Sequence, residues 1–221
     1  ARVSEEFYDT VDDFDNVKNL IDKPKHQAMI AEMRSAMRKR QLELFDSGLL
    51  PEQMRMRRAE ENEITIYEMV RNPELYPLEK YLDAADMALG RDKANLDVLA
   101  KQMSDEDEGM RWWAIVGLHL LEEEAASSID VLKKALNDES HEIRMMSAWT
   151  LVKLGEKNEA MACLRELLFD GTNNQLMLEN VLDWIGDPAL PLIKEYVESG
   201  LAKQGRYGIG IFQRIAEVEG W

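Results

Sequence analysis

The sequence is poor in the residues that carry covalent and metal chemistry: it has one cysteine and three histidines in 221 residues. A lone Cys163 excludes an internal disulfide. That fits the cytosol and a bacterial periplasm equally, so the redox compartment stays open. Proline (6) and glycine (12) are also scarce, which leaves little to interrupt regular elements. No apolar run approaches the roughly 18 residues of a membrane span, and a membrane is not expected as a partner. No secretory leader opens the chain, which starts on Ala1 and reads as trimmed, by processing or by choice of its ends. Positive charge is in deficit, with 27 Lys and Arg against 43 Asp and Glu and a net charge of −16. An acidic surface repels polyanions, which argues against nucleic acid and against a large face for sulfated or carboxylated polysaccharide.

What is present favours helices. Hydrophobic residues make up 45% and charged residues 32%, enough apolar material to bury a core. Leu, Met, Ala, Glu and Lys dominate, and all are good helix formers. The expected fold is all-α, in three stretches: 1–48, 49–80 and 81–221. In the first, an acidic lead-in of little periodicity precedes a long helix over 25–46. Met29, Ile30, Met33, Met37, Leu42 and Phe45 form one stripe on it, Pro24 suits its approach and Gly48 its C′ position. The second stretch, with turns at Asn72-Pro73 and Tyr76-Pro77, is expected as an irregular or short-helical bridge.

From about residue 78, apolar segments of helix length alternate with short acidic turns, and the pattern repeats. The string from Asp105 (DEDEGMRWWA) matches that from Asp138 (DESHEIRMMS) at an offset of 33 residues, and a third copy starts 32 residues on, at Asp170. Met110 then falls on Ile143, Arg111 on Arg144, Ala114 on Ser147 and Leu118 on Leu151. In the second helix of each unit Leu132 and Leu136 fall on Leu164 and Leu168. A partial fourth copy spans Tyr207–Val218. Two helices per unit of this length make a helical solenoid. The columns assign most tryptophans to the core. Trp112 shares a column with Met145 and Leu178, Trp149 with Val116 and Leu182, and Trp184 with Leu118 and Leu151. Trp113, beside Met146 and Glu179, is the one expected to reach solvent.

The stretch Asp138–Gly155, DESHEIRMMSAWTLVKLG, resembles the HEAT-like repeat: Asp, then an aliphatic residue with Arg, small residues, and Leu before a closing Gly. Asp138 is a good N-cap, Ser147 and Ala148 let helices approach, and Gly155 can take a left-handed conformation. Asp105–Leu121 matches almost as well, with Gly117 as a further small position. The resemblance implies a polar ladder between stacked repeats, Asp105 with Arg111 and Asp138 with Arg144. Met177 replaces the Arg in the third copy, where the ladder should stop.

The lead-in, EFYDTVDDFDNVKNL from Glu6 to Leu20, resembles the end of the sulfatase catalytic fold. Glu6, Tyr8, Asp9, Asp13, Asn19 and Leu20 carry the match, while Thr10 and Phe14 depart from the usual Leu and Pro. Asp46–Glu52 (DSGLLPE), Tyr67-Glu68, Arg71-Asn72-Pro73 and Tyr76-Pro77-Leu78-Glu79 are similar to the tail of bacterial heparan N-sulfatase-like proteins. The resemblance implies a C-terminal region whose parent would use calcium and a formylglycine, in the periplasm or outside the cell. It brings no chemistry to this stretch. Formylglycine arises from the Cys or Ser of C/S-x-P-x-R. Cys163 sits in CLREL, and no S-x-P-x-R occurs. No catalytic residue, metal ligand or cofactor is expected in the chain itself.

Few residues remain as contact candidates. His119, Glu122 and Glu123 have metal-compatible spacing on a helix, but no second helix supplies a matching pair, so a solvated face is expected. Arg55, Arg57 and Arg58 are the densest basic cluster and could meet a sulfate or an acidic partner; Glu60, Glu61, Glu63 or the lead-in could equally neutralise them. Three functions follow. The chain could be an accessory that docks on an upstream catalytic domain or another subunit, a glycan-binding module using Trp113 and Arg57, or an independent protein-interaction solenoid. The first is favoured and predicts an uncovered apolar patch.

Overall fold

The computed structural model describes residues 3–171, 174–201 and 208–221, and among them there is no strand. The helices are α1 (Gln27–Leu44), α2 (Glu52–Glu61), α3 (Ile66–Met69), α4 (Leu78–Leu89), α5 (Leu96–Gln102), α6 (Glu108–Leu120), α7 (Ile129–Ala135), α8 (His141–Lys153), α9 (Lys157–Asp170), α10 (Gln175–Ile185), α11 (Leu190–Glu198) and α12 (Gly208–Glu219). No helix among the described residues is long and apolar enough to cross a membrane.

From α4 onward the helices pair into an α-solenoid. The first helices α4, α6, α8 and α10 pack side by side, and the second helices line them: α5 lies against α6, α7 against α8, α9 against both α8 and α10, and α11 against α9. The α4–α5 pair stands before the first copy seen in the sequence. Of the segment read as a partial fourth copy, Tyr207 lies outside the described residues and the rest is α12, which packs on α10 and α11. The core columns are those of the repeat alignment: Leu118, Leu132, Ile143, Leu151 and Leu164 are fully buried, each such side chain contributing roughly 1.5–3 kcal/mol. Ser147 and Ala148 are also fully buried. A Cβ on Gly117 would stand 2.7 Å from the nearer Leu99 methyl and 3.3 Å from the Ala88 Cα, so any larger residue would force the buried Leu99 to shift.

The ends of the helices differ from expectation in an instructive way. Long helix α1 stops at Phe45, which takes the left-handed conformation itself (φ 54°) and donates its N–H to Gln41 and Leu42; Gly48 sits in the next 3-10 turn, Ser47–Leu49. The cap of α6 is Asp107, whose carboxylate accepts from the Gly109 and Met110 amides, while Asp105 and Asp138 accept the amides of Asp107 and Ser140, two residues on. Both aspartates shape the turn before the helix instead of capping it. Gly155 does take positive φ (91°) after α8.

The stretch 49–80 does not stand apart as a bridge. It contributes α2, α3, the Thr65–Glu68 capping box and the fully buried Met54, Met69 and Tyr76 to one core that continues to Phe212.

Candidate functional site

Helix α2 faces the N-terminal ends of the first helices, and its arginines tie those ends together. Arg57 donates to Glu108 at 2.7 Å and lies 3.6 Å from Glu142. Glu142 is only 1% exposed; it also takes the Ser140 hydroxyl at 2.9 Å and the Asn174 amide at 3.1 Å. Arg58 donates to the Leu75 carbonyl (2.8 Å) and to the Tyr81 hydroxyl (2.5 Å), and pairs with Glu108 and Asp107. Tyr81 in turn donates to both Asp107 oxygens, at 2.8 and 2.9 Å. Burial pushes the Tyr81 hydroxyl well up, Arg58 pulls against that rise and Asp107 adds to it, so the phenol stays a neutral donor. Arg55 bonds the Ser47 hydroxyl at 2.9 Å. The three arginines are therefore internal fasteners. The carboxylates that hold Arg57 and Arg58 lie about 50 or more residues away in sequence, not in neighbouring Glu60 and Glu63; Glu61 adds a lesser attraction to Arg57. Carboxylates in the first turns of α6 and α8 also suit the positive ends of those helices.

The two repeat arginines pair differently, Arg111 forward into the next unit and Arg144 within its own. Arg111 is buried, and its guanidinium grips the Asp138 carboxylate through two bonds (2.9 and 3.1 Å). It also donates to the Asp105 and Glu106 carbonyls, at 2.9 and 3.0 Å, and to Glu139 at 3.0 Å. The rung is thus Arg111 to Asp138, and Asp105 offers its carbonyl, not its carboxylate. Arg144 does not reach Asp138; it donates to the exposed Glu166 at 2.8 Å. The implied Asp105–Arg111 pairing is corrected to one step along the array, and the implied Asp138–Arg144 pairing to a contact between α8 and α9 of one unit.

The tryptophans depart from their columns. Trp113 is half-buried, and its indole N–H is closed off from solvent without a partner among the described residues. Its column mate Glu179 is buried as well; burial raises its pKa, opposed by a bond from Gln175. Trp184, placed in the core by its column, is instead 60% exposed. Burial in α10 follows that in α8 at an offset of 31 residues, not 33: Val181 and Leu182 take the places of Thr150 and Leu151, and Trp184 that of the exposed Lys153. Trp184 stacks on Trp149 (centroids 5.0 Å, planes 26°), and Trp149 meets His119 at 4.1 Å.

His119 is buried, with Nδ1 3.0 Å from the Thr150 hydroxyl. Glu122, beyond α6, pairs with Lys153 at 3.4 Å. Among the described residues no group of His, Cys, Asp or Glu is arranged to hold a metal ion. Burial, then nearby Lys153, lowers the His119 pKa to about 4, with Glu122 opposing. A base whose folded pKa lies below its unfolded value of about 6.5 costs no stability above 6.5. It costs progressively more as pH falls from there toward 4, because the unfolded chain binds the proton first. Stability is expected to fall over that window in the wild type, and the slope to shrink in His119→Asn, which keeps a partner for Thr150. Urea titrations at a series of pH values check this; identical slopes would remove His119 as the cause.

Residues 96–177 match the family model for HEAT repeats. The match runs from α5 into α10 and so covers the HEAT-like pairs whose arginine rung and leucine columns are described above. No curated protein matches the chain.

A further surface lies outside the HEAT-like pairs. In α1 only Ile30 is buried, and Met29, Met33 and Met37, each four residues apart, are 54–58% exposed. The lead-in is pinned beside it: Arg34 pairs with Glu5, the Phe7 amide donates to Asn19 Oδ1 at 3.0 Å and the Leu20 amide to the Phe7 carbonyl at 2.7 Å. Asp9 accepts the Val11 and Asp12 amides, and Asp13 those of Val17 and Lys18. This turn leaves Val11, Phe14 and Val17 almost wholly exposed.

Proposed function

We propose that the chain is a structural or protein-docking accessory, the non-catalytic C-terminal helical-repeat region of a sulfatase-like protein. The observation that carries the docking part is the uncovered methionine stripe of α1, together with the exposed Val11, Phe14 and Val17 of the lead-in. A spaced stripe of this kind on one helix face marks a contact surface, and an accessory that packs on a catalytic domain needs one. The sulfatase part rests on the lead-in. Asp9, Asp13 and Asn19, which carry the resemblance, are the side chains that hold its turn, so the motif has a conformational reason to recur. The array of HEAT-like pairs supplies a rigid support behind that face. Under this reading the parent is a sulfuric ester hydrolase of the periplasm or cell exterior, the upstream domain supplies calcium and formylglycine, and the stretches 1–48, 49–80 and 81–221 are catalytic-fold tail, connecting helices and repeats. Trp113 and Arg57 are poor glycan contacts, one half-buried and the other held by Glu108 and Glu142.

The test is the reading frame upstream of Ala1. A C/S-x-P-x-R motif there supports the sulfatase parent, and its absence over a full domain's length overturns it. In the longer protein, methionines 29, 33 and 37 should resist peroxide oxidation that modifies them in the chain alone; equal oxidation rates would remove the docking face. The chain alone is expected to turn over an aryl sulfate no faster than buffer, with or without added calcium, because it has no residue that can become formylglycine.

A further inference from the structure

Trp184 has the most open side chain of the tryptophans. One side of its indole is taken by Trp149, which is itself backed by His119; no other ring or cation is placed on it among the described residues. The stack fixes the plane of the ring and so presents a rigid aromatic platform. Two features of the surroundings decide what suits it. His119, Trp149 and Trp184 all lie in the last turns of α6, α8 and α10, so three helix carbonyl ends, each with partial negative charge, point toward one edge of the array. Carboxylates follow those ends: Glu122 after α6, and Asp183 and Asp187 on either side of Trp184. The described cations near them face carboxylates and not the ring: Lys153 is held by Glu122, and Arg214 shares a cavity of about 230 Å³ with Asp183, Asp187 and Glu219. The whole chain carries −16.

An indole face in a negative field attracts a cation. We infer that Trp184 is a cation–π platform at the carbonyl edge of the array, receiving an arginine side chain from a protein partner. Arginine fits better than lysine because its planar guanidinium stacks flat on a fixed ring and sheds water more readily. A sugar is a poorer occupant, since a glycan subsite needs polar side chains aimed at hydroxyls beside the ring. The amide of Asn180, one turn before Trp184, is committed to the Leu176 carbonyl at 2.8 Å. The inference uses none of the residues of the α1 face and does not depend on the sulfatase reading.

The experiment titrates a short glycine-serine peptide bearing two arginines, its lysine counterpart and chitohexaose into the chain. The tryptophan indole N–H signals are followed by NMR, with Trp184→Phe assigning the resonance. The arginine peptide is expected to move the Trp184 signal and to bind about threefold tighter than the lysine peptide, with Trp184→Leu weakening it about three- to fivefold, the range of an exposed cation–π contact. Trp184→Gln, which also removes the aromatic face, should weaken it to the same extent, and it decides the matter should Trp184→Leu fold poorly. Equal binding of both peptides, or equal binding by the wild type and the Trp184 variants, would reduce the effect to bulk charge and overturn the site. A Trp184 shift with chitohexaose and none with the arginine peptide would overturn it in favour of a sugar.

Discussion

Replacing Arg111 with Ala is expected to destabilise the fold by about 3–5 kcal/mol, the range for removing one partner of a buried ion pair. Few arginines are so completely used. Two donors meet the Asp138 carboxylate, one nitrogen meets two carbonyls, and a further bond reaches Glu139. Truncation leaves Asp138, itself mostly buried, without its countercharge. It also leaves the Asp105 and Glu106 carbonyls without this donor at the turn where α6 begins. Arg144→Ala removes one bond to a Glu166 that is largely in water, so about 1 kcal/mol or less is expected there. The comparison is internal, since the two arginines occupy the same column of adjacent repeats. Chemical denaturation of both variants measures it. Equal losses would show that the cross-repeat rung at Asp138 is not what holds these units together.

Arg58→Ala is the second large effect, again about 3–5 kcal/mol, and it acts at the other boundary, between α2 and the repeats. Arg58 joins the Leu75 carbonyl, Tyr81, Asp107 and Glu108 in one network. Asp107 also caps α6, so loss of Arg58 loosens a helix start as well as an interhelix contact. Because Arg58 and Asp107 share Tyr81, Arg58→Met and Asp107→Asn should not be additive; a coupling of more than about 1 kcal/mol is expected in a double-mutant cycle. Additivity within about 0.5 kcal/mol would mean that the network is only a set of neighbours.

These two sites differ in how far the sequence foretold them. The Arg111 and Arg144 column was legible because the repeat is a local pattern copied along the chain. Its partners were not, since an arginine at the edge of a helix can reach back to its own turn or forward to the next unit. The offset between neighbouring helices decides which. Arg57 and Arg58 were visible as a basic cluster that needed neutralising, but Glu60 and Glu63 lay nearest in sequence while Glu108 and Glu142 lay nearest in space. Trp184 was misplaced for a related reason. Its column was extended at a constant offset of 33, whereas burial in α10 follows that in α8 at an offset of 31, and such a slip rotates a side chain from core to surface.

By itself the sequence determined the helices, the paired repeat from Asp105 and the buried leucine columns, because helix formation and burial follow a period of 3.6 that any few turns display. It also determined that Cys163 has no disulfide partner within the chain. Only the tertiary structure decided that 49–80 joins the repeats in one core, that the ladder runs forward from Arg111 to Asp138, and that the most open tryptophan is Trp184 while the methionines of α1 stay bare. Each of those depends on distances between helices far apart in the chain. Such distances are set by the summed packing of the whole core, which no local window of residues contains.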